Sequence, residues 1–205
     1  MHKKLTHKFY NRTDVVLIAK ELLGKYLMTN IGGKITGGRI VETEAYAGTT
    51  DKASHAYNNR RTNRTEIMYA EAGTAYVYLC YGIHHLFNVV TNSKDVPHAI
   101  LIRALEPTDG LNTMLKRRLA AEVKPPLTTG PGTLSQALGI CTTMSGEDLQ
   151  GNKIWIEDRG DKLADNDIIA SKRVGVKYSR EDAHRLYRFW IKNNKWVSKP
   201  LYPSY

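Results

Sequence analysis

The sequence predicts an α+β fold with a mainly antiparallel, curved β-sheet, a protruding β-hairpin and flanking helices. Most periodic segments alternate with the two-residue period of strands, and the few helical segments are short. Strands and helices do not alternate regularly, as they would in a parallel βαβ sheet. The 205 residues predict a single domain over 1–205, because domains commonly hold roughly 100–200 residues.

The N-terminal part of the chain predicts a helix followed by a strand. The helix spans Asp14–Leu23, where apolar residues recur at helical spacing, with Asp14 as the N-cap and Gly24 as the C-terminal stop. The strand spans Gly37–Tyr46, because β-branched residues follow a Gly-Gly break. This helix and strand are the first two elements of the predicted fold.

The middle of the chain predicts a hairpin and a central strand. Thr74–Cys80 alternates, Tyr81-Gly82 can turn the chain, and Leu86–Thr91 returns. His98–Leu105 is nearly all apolar, which is typical of a central strand. The remaining predicted elements are a helix over Asp109–Ala121, a Gly-Pro loop with a short helix over Thr128–Ile140, and strands over Lys153–Glu157 and Arg188–Ile191.

Composition limits the classes of function. Thirty Lys and Arg against 20 Asp and Glu give a net charge of +10, which indicates nucleic acid or an anionic membrane as a partner. No basic amphipathic helix is evident, and the uncharged stretch Gly73–Ser93 is too polar to span a bilayer, so a membrane is the weaker candidate partner. Two distant cysteines and no secretory signal predict a soluble cytoplasmic protein without disulfides or structural zinc.

The strand ending at Tyr46 carries two carboxylates that are candidates for acid–base chemistry. Alternation places Glu42 and Glu44 on the face of Ile40 and Tyr46, about 7 Å apart. Arg39 points to the opposite face, so two unpaired like charges should raise one carboxylate's pKa. Glu44 is therefore the candidate general base, and a solvated strand face is the structural alternative.

The hairpin carries tyrosines that suit an unpaired nucleobase. Tyr76 and Tyr78 share one strand face as a stacking wall, and Tyr81 at the turn could enter a base stack as a wedge. Asn88 on the returning strand could read a base edge. The alternatives are half-buried cross-strand aromatics and an asparagine that satisfies the backbone.

Three other features could carry function. Arg103 interrupts an apolar strand, so it must either point into a functional groove or pair with Glu42 or Glu44. His55 stands alone, which is more typical of a surface or hydrogen-bonding residue than of a catalyst or a metal ligand. The Gly-Pro loop before Leu134 presents backbone N–H groups at a helix start, where a phosphate can bind.

These pieces, in this order, resemble the alkyladenine (3-methyladenine) DNA glycosylase family, the type built without a helix-hairpin-helix. The resemblance covers Leu5–Ser198 of the chain. It is carried by GRIVETEAY (38–46), His55, AYVYLCYG (75–82), Asn88, LIRALEP (101–107), GPGTLSQALGI (130–140) and RVGV (173–176).

The resemblance implies excision of 3-methyladenine, 7-methylguanine, hypoxanthine or ethenoadenine from double-stranded DNA by a monofunctional, monomeric enzyme that needs no cofactor or metal. The implied roles are Glu44 as the base that activates water, Arg103 at the sugar-phosphate, Tyr46, His55 and Tyr78 around the flipped base, Asn88 against the 2-amino group of guanine, Tyr81 as the wedge, and Arg60, Gly132 and Thr133 at the DNA backbone. Thr133 stands where the family often has lysine, which leaves that phosphate contact open.

The sequence leaves two functions open besides that of a DNA glycosylase. In a metal-dependent nuclease, Glu42, Glu44, Asp51 and His55 would collect a divalent ion. A non-catalytic nucleic-acid-binding module would keep the basic surface and the tyrosines but would not need Glu44.

Overall fold

The computed structural model describes residues 2–198 and has an antiparallel sheet with helices packed against it. The strands are β1 (Lys3–Lys4), β2 (Tyr26–Ile31), β3 (Lys34–Tyr46), β4 (Ala75–Cys80), β5 (His84–Thr91), β6 (His98–Asp109), β7 (Ile154–Asp158), β8 (Ile168–Ser171) and β9 (Arg188–Ile191). The α-helices are α1 (His7–Tyr10), α2 (Val15–Glu21), α3 (Leu111–Arg118) and α4 (Pro131–Leu138). The α+β class with an antiparallel sheet is confirmed.

The sheet branches at β3. Its main path runs β1-β7-β2-β3-β6-β5-β4, and every pair in it is antiparallel. One edge of β3 pairs with β6 along its length, whereas the other edge pairs first with β2 and then, over Glu42–Glu44, with β9. The last segment of β3 is therefore held between two strands, one of which comes from far along the chain.

Successive residues of β3 face opposite sides of the sheet at its C-terminal end. Ala45 pairs with Ile100 of β6, which pairs with Val89 of β5, and all three lie in the main hydrophobic cluster. On the same side, Thr43 donates a hydrogen bond to the Ala19 carbonyl of α2 at 2.9 Å. The opposite side is covered only in part by a smaller cluster around Tyr76 and Met68, which leaves room for a site.

Local sequence signals explain the ends of two elements. The Asp14 carboxylate accepts a hydrogen bond from the Leu17 N–H at 2.9 Å, so it caps α2 as predicted. The hairpin between β4 and β5 turns at Tyr81 and Gly82, whose φ angles are 51° and 73°. Positive φ at both positions matches the twist of the flanking strands and points the Tyr81 side chain outward, where it is 91% exposed.

The predicted strands over Gly37–Tyr46, Thr74–Cys80, Leu86–Thr91, His98–Leu105, Lys153–Glu157 and Arg188–Ile191 are confirmed, as are the helices near Asp14–Leu23 and within Thr128–Ile140. The helix predicted over Asp109–Ala121 is shorter, because Asp109 still belongs to β6 and Gly110 adopts a φ of 70°. A Cβ at Gly110 would lie 2.2 Å from the Ile35 carbonyl oxygen, so the chain can turn there only without a side chain. The sequence reading missed β2, β8 and the two-residue β1.

Within residues 2–198, no helix has both the length and the apolar character that crossing a bilayer would require.

Candidate active site

A pair of β-bulges brings Arg103 to the acids of β3. In the register between β3 and β6, Ile40 pairs with Leu105, Glu42 with Ala104 and Thr43 with Ile102, so Val41 and Arg103 have no partner. Bulges re-aim side chains and are common beside active sites. Ile40 and Val41 both belong to the main hydrophobic cluster, so the predicted alternation through Ile40 is wrong before Glu42.

Glu42 is a buried structural anchor. Its Oε1 accepts hydrogen bonds from Arg103 Nε at 2.8 Å and Arg188 Nε at 2.7 Å, and its Oε2 accepts one from the Ser198 N–H at 2.7 Å. Burial alone would raise the pKa of Glu42, but the two guanidinium groups and Ser198 outweigh it and lower that pKa. The expectation of two unpaired, mutually repelling carboxylates is therefore wrong, because Arg103 and Arg188 reach Glu42 from other strands.

Glu44 lies beside this anchor and is also fully buried. Its Oε1 accepts a hydrogen bond from the Val174 N–H at 2.7 Å and lies 3.3 Å from Arg103 Nη1. Its Oε2 accepts a hydrogen bond from the Tyr46 hydroxyl at 2.8 Å. Burial and the Glu44 charge raise the pKa of Tyr46, so this phenol stays protonated and donates. The predicted solvated strand face is excluded for both acids.

Register places Glu44 in one row of side chains across four strands. Glu44 on β3 pairs with Leu101 on β6, Leu101 pairs with Asn88 on β5, and Asn88 pairs with Tyr76 on β4. Residues paired across strands share a face. The row therefore brings the acid, the asparagine and the tyrosine wall to one side of the sheet, with Asn88 about 10 Å from Glu44 across two strand spacings.

Aromatic rings lie together at the end of this row. The Tyr76 and Tyr78 ring centroids are 5.4 Å apart, and His55 packs edge-on against Tyr78 with centroids 4.7 Å apart. Tyr78 is also close enough to Tyr46 to contribute to the raised pKa of Tyr46. Tyr76 is buried and Tyr78 half-buried, as in the alternative of cross-strand aromatics, and a stacking role for Tyr78 stays a prediction.

His55 is held as a neutral ring. Its Nδ1 lies 2.9 Å from the Tyr76 hydroxyl and its Nε2 lies 3.2 Å from Arg64 Nη2. Burial, followed by the nearby charges of Arg64 and Arg60, lowers the pKa of His55 to about 4. Of the two expected roles of a lone histidine, surface or hydrogen-bonding, the structure shows the second, because both ring nitrogens have polar partners and the ring packs against Tyr78.

Asn88 is buried and hydrogen-bonded to the backbone. Its amide nitrogen donates to the Tyr76 carbonyl at 3.2 Å and to the Leu86 carbonyl at 3.4 Å. Because those bonds use the amide protons, Asn88 is fixed in place and its side-chain oxygen remains the free polar atom on the site's face.

The hairpin tip and the start of α4 lie next to each other. A Cβ at Gly132 would lie 2.8 Å from the His84 ring at the start of β5, so only glycine allows this approach. The Thr133 hydroxyl turns back and donates to the Gly130 carbonyl at 2.9 Å. Arg60 is exposed near His55. Among residues 2–198, none of them forms a hydrogen bond or an ion pair with Glu44.

Further residues of the site escaped the sequence reading. Arg173 donates to both oxygens of Asp51, at 2.5 and 2.8 Å, and its guanidinium lies 4.8 Å from the Tyr46 ring centroid. This pair holds the segment whose Val174 N–H contacts Glu44. The sequence contains the two arginines, Arg173 in RVGV and Arg188 at the start of RFWI, but neither motif indicates which carboxylate its arginine pairs with.

The carboxylates proposed for a divalent ion are already engaged. Glu42 is bonded to Arg103 and Arg188, and Asp51 to Arg173. Across the described residues, no group of three or more His, Cys, Asp or Glu side chains is arranged to hold a metal. The geometry therefore does not favour a metal site formed by Glu42, Glu44, Asp51 and His55.

Comparison with known proteins matches the chain to one family. Residues 8–195 match the family model for methylpurine-DNA glycosylase. A protein of Clostridium perfringens is 45% identical over 204 residues, covering 96% of this chain and 99% of its own. A protein of Natranaerobius thermophilus is 47% identical over 197 residues, covering 95% and 98%. Each carries a name that assigns it as a 3-methyladenine DNA glycosylase. The chain belongs to the methylpurine-DNA glycosylase family.

Proposed function

We propose that the protein is a DNA repair glycosylase that removes alkylated purines, 3-methyladenine among them, from duplex DNA by hydrolysing the N-glycosidic bond. The observation that carries the proposal is Glu44, a buried carboxylate held by fixed donors beside a group of aromatic rings. Family membership and the net charge of +10 support DNA as the substrate.

The reaction proceeds by attack of water on the sugar. Glu44 accepts a proton from the water as its oxygen bonds to C1′, the bond from C1′ to the purine nitrogen breaks, and its electron pair leaves with the base. The anion at Glu44 also stabilises positive charge developing on the sugar. Arg103 orients Glu44 through a contact of 3.3 Å, and we propose that it also contacts the sugar-phosphate of the flipped nucleotide. Because Arg103 donates a hydrogen bond to the buried Glu42, its guanidinium is already fixed in the free protein.

The aromatic group receives an extruded base. Tyr46, Tyr78 and His55 supply faces on which a purine stacks, and a cationic base gains about 0.5–2 kcal/mol from the ring quadrupoles. A purine inside the duplex cannot reach Glu44, so the base must be flipped out, at a cost of a few kcal/mol. Tyr81, exposed at the hairpin tip, fills the space that the base leaves.

Substrate range is set by the walls of this pocket. Buried Asn88 crowds the 2-amino group of guanine, so normal guanine is rejected, whereas 7-methylguanine, which carries the same group, is released because its positive charge already makes the base a good leaving group. We propose 3-methyladenine, 7-methylguanine, hypoxanthine and ethenoadenine as substrates. The DNA backbone is held by Arg60 and by the N–H groups near Gly132 and Thr133, and the Thr133 hydroxyl contributes less than a lysine would.

We also propose that 1–205 acts as one domain and as a monomer. Strand pairing supports the single domain, because β1 pairs with β7 and Ser198 bonds to Glu42 across 156 positions of sequence.

The test is base release from methylated and hypoxanthine-containing duplexes, with EDTA present throughout. Release of free purine and formation of alkali-labile abasic sites support the glycosylase. Strand scission that appears only after Mg²⁺ replaces EDTA would support a nuclease instead. Salt-dependent DNA binding with no product in either buffer would identify a binding module.

A further inference from the structure

An arginine packs over the ring of each proposed stacking tyrosine, Tyr46 and Tyr78, and only one of the two arginines is paired with a carboxylate. The Arg173 guanidinium lies 4.8 Å from the Tyr46 ring centroid, and the Arg64 guanidinium lies 4.6 Å from that of Tyr78. Arg173 is buried in a two-bonded ion pair with Asp51, so its charge is neutralised. Arg64 is exposed, and no carboxylate among residues 2–198 forms an ion pair with it. The positive charge beside Tyr78 is therefore uncompensated.

Arg64 also contacts the third ring of the pocket. Its Nη2 lies 3.2 Å from His55 Nε2, and because a guanidinium can only donate, this nitrogen must be the acceptor. The histidine proton then lies on Nδ1, 2.9 Å from the Tyr76 hydroxyl. Arg64 thus touches two of the side chains proposed to hold the base, and its charge lies a few ångströms from any purine stacked there.

A fixed positive charge at this place acts differently on neutral and cationic lesions. When the bond to C1′ breaks, its electron pair stays on the base. A neutral purine such as hypoxanthine then gains negative charge, which a guanidinium stabilises before solvent supplies a proton. A 7-methylguanine base starts as a cation and leaves as a neutral molecule, so the same guanidinium repels it as it enters the pocket, and that repulsion is relieved only as the bond breaks.

We propose that Arg64 is a specificity-determining residue that shifts the enzyme towards uncharged purine lesions, through a positive charge held against Tyr78 and His55. The inference rests on the proposed function and deepens it.

The experiment measures single-turnover release of hypoxanthine and of 7-methylguanine from duplexes of the same flanking sequence, at enzyme concentrations below saturation, so that each rate includes capture of the base in the pocket. The variants are Arg64→Gln, which removes the charge, and Arg64→Lys, which keeps it. Arg61→Gln is the matched control, because Arg61 lies three residues away but is paired with Glu66 and Asp95 and packs over Tyr69. The readout is the ratio of the two release rates, so a general change in DNA affinity cancels.

Arg64→Gln should lower the ratio of hypoxanthine to 7-methylguanine release roughly tenfold, the effect of one charge at short range in a partly solvated groove. Arg64→Lys and Arg61→Gln should keep the wild-type ratio. Equal changes in both rates for Arg64→Gln, or an equal shift in Arg61→Gln, would overturn the inference while the glycosylase activity stands. Failure of the wild type to release either base would overturn the proposed function and this inference with it.

Discussion

Replacing Glu42 by Gln should strongly destabilise the folded protein, because Glu42 is the buried carboxylate that binds two arginines. Glu42 is fully buried and pairs with both Arg103 and Arg188. In the variant, Arg188 would have no carboxylate partner within residues 2–198, and Arg103 would keep only its longer 3.3 Å contact with Glu44. Removing one partner of a buried pair leaves an uncompensated charge and costs about 3–5 kcal/mol. The Gln amide would also place donors against the Arg188 and Ser198 donors. We expect the free energy of unfolding to fall by roughly that amount.

The assay is urea unfolding of the wild type and Glu42→Gln at pH 7, with the m-value checked for constancy. Glu147→Gln is the control, because its pair with Lys153 is part-exposed and worth about 1 kcal/mol or less. The folded-state pKa of Glu42 is lowered, so its contribution is complete above its ordinary value of 4.5 and is lost as pH falls through the lower folded value. The gap between the two proteins should therefore narrow in acid. A loss no larger than that of Glu147→Gln would refute the reasoning.

Three further predictions concern the pocket. Tyr81→Ala should leave stability within about 0.5 kcal/mol, because the side chain is 91% exposed, yet slow base release more at a paired lesion than at a mismatched one; equal slowing at both would count against a wedge. The His55 ring should titrate with a midpoint near 4 by NMR. Because that pKa lies below the ordinary 6.5, protonation favours the unfolded chain, and the contribution of His55 lowers the free energy of unfolding as pH falls from 6.5 towards 4. A midpoint above 6 would contradict the packing described. Asn88→Ser should release normal guanine from undamaged DNA and cost about 1 kcal/mol of stability through lost hydrogen bonds; guanine release at background would show that Asn88 does not exclude it.

The strands of the site were readable from sequence because their signals are local. Alternation in AYVYLC, the Tyr81-Gly82 turn and the apolar run at His98 all depend on neighbours within a few residues. The candidate base Glu44, the tyrosine wall and the hairpin tip followed from those strands. What alternation could not supply was the pairing partner of each strand, which decides that Glu44 and Asn88 share one row.

The environment of Glu42 and Arg103 could not be read in this way. The double bulge at Val41 and Arg103 has no local signature, and it changes which side chains meet. Arg188 reaches Glu42 from 146 positions away, and Arg173 reaches Asp51 from 122. Contacts of that separation depend on the whole topology, so the sequence left open whether Arg103 pairs with Glu42 or Glu44, and nothing in it indicated the pairing of Arg188.

The most direct test of the account is single-turnover base release by Glu44→Gln beside the wild type, on one alkylated duplex under conditions that saturate binding. Gln keeps the size of the side chain, its carbonyl oxygen can accept from the Val174 N–H and its amide can donate to the Tyr46 hydroxyl oxygen, but it cannot take a proton from water. Release should fall by at least about 100-fold, the scale of a lost general base, while DNA affinity stays nearly unchanged. Release close to the wild-type rate would contradict the central claim and move the water-activating role away from Glu44.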